Sequence, residues 1–155
     1  MPVLPQLPTL WVSAAPFRYH VHHLMAATGV PWQVMAVVAE LPQQQVRTLL
    51  YGRDGRRRSR LSPYAARRLL ALDATQLRRL QAREIPAHLV MDSVHALLAD
   101  GASLESIAEW LRLDLHSTSQ LAAGTGSCTQ THAIMLHLAC VHRGLLMEPE
   151  ARAVA

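Results

Sequence analysis

Apolar side chains recur at intervals of three and four residues along most of this chain, which is the spacing of one buried helical face. No run of alternating apolar and polar residues is long enough to predict a β-strand of useful length. Half of the residues are hydrophobic and only seven are glycine, while the helix formers Ala, Leu, Arg and Gln abound. The pattern predicts an all-α protein with a substantial core.

The chain is organised around Met35–Arg60, MAVVAELPQQQVRTLLYGRDGRRRSR, which predicts two helices separated by a tight turn. An apolar face ends just before Pro42, which cannot continue a helix but suits the first turn of the next one. That second helix is predicted over Gln43–Tyr51, and Gly52 supplies a left-handed stop. It would bury three apolar side chains, those of Val46, Leu49 and Leu50. The arrangement is typical of a helix-turn-helix.

The polar side of this second helix carries the candidate base-reading residues. A recognition helix places its first residues against base edges in the major groove. Glutamine can bond an adenine edge at two points, and arginine can do the same with guanine. The candidates are Gln43, Gln44, Arg47 and Thr48. The alternative for these residues is an ordinary solvated helix face.

An arginine-rich segment, residues 53–60, follows directly and is named the arginine arm here. Its five cations are Arg53, Arg56, Arg57, Arg58 and Arg60. Such a run repels itself, so a polyanion is its natural partner through phosphate contacts and counterion release. Gly55 and Ser59 predict an arm flexible enough to follow a phosphate backbone or enter a minor groove. Arg67, in the next predicted helix, would extend the phosphate track, and an exposed solubilising loop is the alternative for the arm.

Charge divides the chain into two halves. Residues 1–84 hold twelve Arg against four acidic residues, a balance of +8, whereas residues 85–155 hold three Arg against seven, a balance of −4. The first half therefore favours nucleic acid and the second does not. A scaffold or partner-binding role is the preferred prediction for the second half, because base contacts without phosphate neutralisation seldom hold DNA.

An internal repeat also divides the chain. Met35–Gly52 aligns with Ile107–Gly124 at a constant offset of 72 residues, and a chance match between Ala- and Leu-rich helices is the alternative. The repeat predicts two tandem helix-turn-helix units. The expected segments are an extended lead (1–14), a basic DNA-binding unit (15–84), an acidic unit (85–146) and a tail (147–155), with a hinge at 82–86.

Histidines and cysteines are the candidate metal ligands, and their spacing predicts no metal site. His20, His22 and His23 have no carboxylate or cysteine at ligand spacing, and Cys128 with His132 is a weak pair. No nucleophile–base–acid arrangement, P-loop or dinucleotide fingerprint is present. We therefore expect neither a cofactor nor an enzymatic activity.

The start of the chain, MPVLPQLPTLWV, lacks a positive leading region and carries three prolines, so it makes a poor signal peptide. No run of about 20 apolar residues exists, which predicts that no segment crosses a membrane. Two cysteines do not make a secreted disulfide framework. A cytoplasmic location is expected.

Three segments between residues 15 and 72 resemble the helix-turn-helix regulators common in actinobacteria and their phages. They are FRYHVHHLMAATGVPWQVMAVVAE, VRTLLYGRDGR and SPYAARRLLAL. The chain departs from such motifs in the turn, where Glu40 or Leu41 stands at the place that often holds glycine. The resemblance implies sequence-specific control of transcription.

The sequence therefore predicts a transcriptional regulator that binds double-stranded DNA through a recognition helix and the arginine arm. A homodimer, or a partner in the transcription machinery, would use residues 85–146. The alternative is a protein-interaction module, such as an antitoxin or an adaptor for the transcription machinery. RNA binding through the arm is a third interpretation, since arginine-rich segments also bind RNA.

Overall fold

The computed structural model describes residues 10–146, and within them it is built from nine α-helices with two short antiparallel strand pairs. The all-α prediction is confirmed. Residues 1–9 of the predicted lead and the whole predicted tail, 147–155, lie outside the described residues. The chain divides into two compact units between Arg78 and Arg79.

The first unit places two strands and four helices before the helix in which the division falls. Its elements are β1 (Val12–Ser13), α1 (Ala15–Thr28), α2 (Trp32–Val38), α3 (Gln43–Tyr51), β2 (Arg60–Leu61), α4 (Pro63–Leu70) and α5 (Ala74–Ala82). Side chains at the starts of α4 and α5 accept backbone N–H groups as caps: Ser62 from Ala65 (3.2 Å) and Asp73 from Gln76 (2.7 Å). Both caps were predictable from residue type.

The core of the first unit is aliphatic. Helix α2 contributes Val34, Met35 and Ala36, all fully buried, and α3 adds Val46, Leu49 and Leu50 at 1% exposure. Helix α4 contributes Leu69, which is also buried, to this core. These residues recur at helical spacing, so burial of one face of each helix is what orients the opposite, polar face.

The second unit repeats this order. Its elements are β3 (Glu84–Pro86), a 3-10 turn (Ala87–Leu89), α6 (Met91–Ala99), α7 (Leu104–Leu111), α8 (Leu115–Ala123), β4 (Ser127–Thr129) and α9 (Gln130–His142). Strand β3 pairs antiparallel with β4, as β1 pairs with β2 in the first unit. Helix α8 lies 72 residues after α3 at both of its ends.

Backbone geometry repeats at the same offset. Glu40 and Arg112 both adopt a φ of 56°, an uncommon value for residues other than glycine. The residue after each donates its N–H to the carbonyl five residues earlier, Leu41 to Ala36 (2.9 Å) and Leu113 to Ala108 (3.0 Å). The two units therefore share the turn between their second and third helices in detail.

The prediction of a hinge at 82–86 is wrong for residues 84–86, which belong to a strand. Glu84–Pro86 form β3, and Ile85 pairs with Cys128 in the second unit. A strand of three residues leaves no periodicity in the sequence, and its partner lies about 40 residues away, which is why the pattern gave no sign of it. Across the described residues, no helix is long and apolar enough to cross a membrane.

Candidate nucleic-acid interface

The turn between α2 and α3 sets the direction of α3. Glu40 takes the left-handed position, and Pro42 begins the next helix from an extended conformation. Arg68 of α4 braces this turn: its Nε donates to the carbonyl of Ala39 (2.8 Å) and its Nη2 pairs with the Glu40 carboxylate (2.5 Å). Arg68 is half-buried and caps the end of α2, a role that its sequence position did not reveal because the contact with Ala39 spans 29 residues.

Helix α3 presents its polar face away from the core of its own unit. Gln44 and Arg47 are exposed, and Thr48 is half-buried beside them. The Gln44 amide approaches the Thr48 hydroxyl at 3.4 Å, a long contact that leaves most of its bonding capacity to solvent. These three predicted base-reading residues form one continuous patch.

Gln43 is the exception among the four predicted base readers. Its Nε2 donates to the carbonyl of Gln33 on α2 (2.9 Å), and its Oε1 is buried without a partner. The amide is thus committed to the packing of α2 against α3. Gln43 is the first residue of α3 and lies at the end of the turn, where its side chain folds back toward α2. We therefore do not include Gln43 among the residues proposed to contact bases.

The arginine arm is folded rather than extended. Arg53 and Arg56 exchange both backbone hydrogen bonds (2.8 and 3.0 Å), and between them Asp54 and Gly55 have φ values of 53° and 76°. Two successive positive φ values are the signature of the tight turn that joins antiparallel strands. The expectation of a flexible arm is therefore corrected to a hairpin.

Gly52 makes the hairpin possible. Its backbone, with φ 78° and ψ −176°, lies in a region essentially restricted to glycine. A Cβ at this position would stand 2.4 Å from the carbonyl oxygen of Arg56. The close approach brings the arm back across the end of α3.

Arg18 of α1 and strand β1 fasten the arm to the first unit. The Arg18 guanidinium donates from Nε to the carbonyl of Leu49 and from Nη2 to the carbonyl of Arg58, both at 2.7 Å. Beyond this point Ser13 pairs with Arg60 in the β1–β2 ribbon. Arg18 thus ties the last turn of α3 to the arm, a role that sequence spacing did not reveal because the contacts span 31 and 40 residues.

The polar face of α3 and the arm line one open cleft of about 650 Å³. Helix α3 contributes Gln44, Gln45 and Thr48, and the arm contributes Arg53, Arg56 and Arg58. The indole of Trp11 forms part of the wall. Of these, Gln45 and Trp11 were not predicted as site residues, although Gln45 lies on the polar face of α3.

The remaining predicted residues lie outside this cleft. Arg47, Arg57, Arg60 and Arg67 are exposed, but none of them lines it. Arg47 occupies the polar face of α3, Arg57 and Arg60 the arm, and Arg67 the neighbouring helix α4. They are therefore exposed residues of the first unit that do not form the wall of the cleft.

The corresponding surface of the second unit is different. Asp114 begins α8 by accepting the N–H of Ser117 (2.5 Å), and the backbone and side-chain hydrogen bonds from Ser117 lower the pKa of this carboxyl. Helix α8 then presents His116, Ser119 and Gln120 to solvent. From Gly124 to Gly126, three residues without a cation connect α8 to β4.

Metal-ligand geometry is not found in the part of the chain that the structure describes, where no three His, Cys, Asp or Glu side chains converge. His132 instead completes a cap with Thr129, its Nδ1 accepting the Thr129 N–H at 3.2 Å. Burial lowers the pKa of His132 and raises that of Cys128. Both groups therefore stay neutral and structural near pH 7.

Comparison with known proteins adds no relative to this geometry: no family model, curated protein or solved structure matches the chain.

Proposed function

We propose that the first unit binds double-stranded DNA in a sequence-dependent manner and that the protein regulates transcription. Helices α2 and α3 act as a helix-turn-helix, with α3 in the major groove and the arginine arm on the phosphate backbone. The observation that carries this proposal is the shared cleft, in which Gln44 and Thr48 stand beside Arg53 and Arg56.

Charge supports a polyanionic partner. Twelve of the fifteen arginines fall within residues 1–84, against four acidic residues. Within residues 53–60 no acidic group other than Asp54 offsets the five cations. Each phosphate contact releases condensed counterions, so clustering of this kind favours nucleic acid far more than it favours an acidic protein surface.

The polar chemistry of α3 supports base recognition. Gln44 retains free amide groups for an adenine edge, and Arg47 is exposed for a guanine edge. Burial of Leu49 and Leu50 fixes the rotation of the helix, so that this face is presented rigidly. Rigid presentation matters because a bidentate contact requires both atoms in place at once.

The test is selection of bound fragments from a randomised duplex library by the full chain, followed by the same selection with Gln44→Ala and Gln43→Ala. We expect the wild-type chain to enrich one motif. Gln44→Ala should relax preference at one base pair, a loss of about 1–3 kcal/mol of discrimination. Gln43→Ala is the matched control: it should lower the melting temperature through the lost bond to Gln33 and leave the motif intact.

Three results would count against the proposal. Enrichment of no motif, together with equal retention of all duplexes by the wild-type chain and Gln44→Ala, would contradict base reading by α3. Stronger binding of a structured RNA than of duplex DNA at the same salt concentration would indicate that the protein binds RNA rather than DNA. A chain that binds neither nucleic acid would instead favour the protein-interaction module.

A further inference from the structure

Trp11 is a large apolar side chain that lies beside the arginine arm. The residue is 47% exposed and lines the cleft shared by α3 and the arginine arm. The guanidinium carbon of Arg58 lies 5.8 Å from the ring centroid, within range of a cation–π contact. None of the base-reading or phosphate-binding roles proposed above uses this ring.

The backbone next to Trp11 is held in place, so the ring is presented rather than loosely attached. Val12 pairs with Leu61 in the β1–β2 ribbon, and Ala14, fully buried, donates its N–H to the carbonyl of Ser59 (3.0 Å). The ribbon therefore fixes where the side chain leaves the backbone. Arg58 contacts the ring, and the remainder of the exposed indole borders the cleft.

An indole in such a place has a chemical use that a further cation does not. Aromatic rings stack on exposed nucleobases and pack on deoxyribose, and these contacts release no counterions, unlike contacts to phosphate. An arginine of the same cleft can hold the adjoining phosphate while the ring covers the sugar or base. The same nucleotide would then meet one apolar and one charged group.

We propose, on the basis of the DNA-binding function above, that Trp11 is a nucleic-acid contact. Its ring packs against a nucleotide of the bound duplex whose phosphate is held by Arg53 or Arg56, which line the same cleft. The contact adds affinity without adding charge. It also makes the β1–β2 ribbon, and not α3 alone, part of the interface.

The first experiment observes the ring directly. A full-length Trp32→Phe, Trp110→Phe double variant leaves Trp11 as the one tryptophan, since the chain has three. A labelled, short mixed-sequence duplex is titrated at low salt, and its anisotropy and the tryptophan emission are recorded together. We expect the emission to be quenched and to saturate at the same protein-to-DNA ratio as the anisotropy.

The two readouts separate the possible failures. A rise in anisotropy with no change in emission would overturn the role of Trp11 and leave DNA binding standing. Binding by the wild-type chain but not by the double variant, whose fold is checked by its melting curve, would also count against this assignment, because Trp11 is still present. No rise in anisotropy for either chain would overturn the proposed function itself.

A second experiment compares Trp11→Ala with Arg58→Ala across a range of salt concentrations. Trp11→Ala should weaken duplex binding by roughly tenfold at every salt concentration, with the slope of log affinity against log salt unchanged. Arg58→Ala should reduce the magnitude of that slope by about 0.9. Trp11→Phe, which keeps an aromatic ring, should recover most of the affinity, and full affinity in a folded Trp11→Ala variant would overturn the proposal.

Discussion

Residues 52–59 and residues 124–126 connect equivalent helices to equivalent strands, but the first connection is cationic and the second is uncharged. The first connection is eight residues long, contains four arginines and folds as a hairpin, whereas the second is Gly-Thr-Gly. Around them the two units agree, down to a φ of 56° at Glu40 and at Arg112. The two units show that one scaffold of helices can be kept while a single connection changes the charge carried beside its exposed face.

The helix that precedes each connection differs in the same sense. Helix α3 follows Pro42, which carries no charge, whereas α8 follows Asp114, a carboxylate with a lowered pKa at the very start of the helix. In the first unit, Arg68 pairs with Glu40 and neutralises the acidic residue of the turn. We therefore expect nucleic-acid binding to belong to the first unit alone.

The largest effect should come from exchanging the connections. Replacing residues 52–59 with Gly-Thr-Gly keeps a link that the second unit already uses and removes four arginines. We expect duplex affinity to fall by at least about a hundredfold, and the salt slope to fall by between three and four. Anisotropy of a labelled duplex measures both, and circular dichroism checks that the helices remain. Undiminished binding by a folded exchange variant would refute the role of the arm.

A smaller effect is expected from Gly52→Ala, which tests the shape of the arm without touching its charge. The new Cβ would meet the carbonyl oxygen of Arg56 at 2.4 Å, so the hairpin must open. A backbone in this region costs a non-glycine residue about 1–3 kcal/mol. Affinity for duplex DNA should fall while the arginines remain in place.

Gly29→Ala is the matched control for Gly52→Ala. Gly29 also has a positive φ, 73°, but a Cβ there meets nothing within 4 Å. The control should lose some stability in a thermal melt and keep its DNA affinity. Equal losses of affinity in both variants would mean that general destabilisation, and not the hairpin, governs binding.

Arg67 and Arg68 are neighbours on α4 with different partners, so paired alanine variants should give crossed results. Arg68→Ala removes the bond to the Ala39 carbonyl, and we expect it to cost about 1–2 kcal/mol of unfolding free energy. The pair with Glu40, whose side chain is 73% exposed, adds little to that figure. Arg67→Ala should leave the melting curve unchanged and lower the salt slope by about 0.9. The reverse pattern would contradict the roles assigned here.

The smallest expected effect is a dependence of stability on pH that arises from the cap of α9 in the second unit and has no counterpart at the cap of α4 in the first. Burial lowers the pKa of His132 in the folded chain, so the unfolded chain binds the proton more readily. His132 therefore contributes stability near pH 7 that is lost as the pH falls from about 6.5 toward its lower folded pKa. The equivalent residue of the first unit is Ala65, which cannot titrate.

Chemical denaturation at pH 7.5 and 5.5 measures this dependence. His132→Gln keeps a side chain that can complete the cap with Thr129 but does not titrate. We expect the variant to lose less stability on acidification than the wild-type chain. If the variant and the wild-type chain lost the same free energy of unfolding between pH 7.5 and pH 5.5, His132 would not be the source of the pH dependence.

Local patterns were sufficient to predict much of the fold. The bounds of α3, Gln43–Tyr51, agree with the prediction, because Pro42 and Gly52 mark its two ends. Ser62 and Asp114 belong to the residue types that favour the N-cap position, and each accepts a backbone N–H there. Such features depend on neighbours in sequence, which a single chain displays directly.

Features that depend on distant contacts could not be predicted in this way. The Gln43 amide turns toward Gln33, and Arg68 reaches the carbonyl of Ala39 across 29 residues. The two-residue strand β1 has no periodicity to detect, yet it fastens the arm and positions Trp11. Long side chains such as those of glutamine and arginine fold back or extend according to the packing around them. The residue type alone therefore does not predict which of the two conformations is adopted.

The salt dependence of duplex binding by the full chain shows whether the arginines of the first unit hold DNA through its phosphates. With Arg53, Arg56, Arg57, Arg58, Arg60 and Arg67 as phosphate contacts, log affinity should fall linearly with log salt with a slope of about −5. Lack of binding to any duplex at low salt, or an affinity that does not change with salt, would contradict the account.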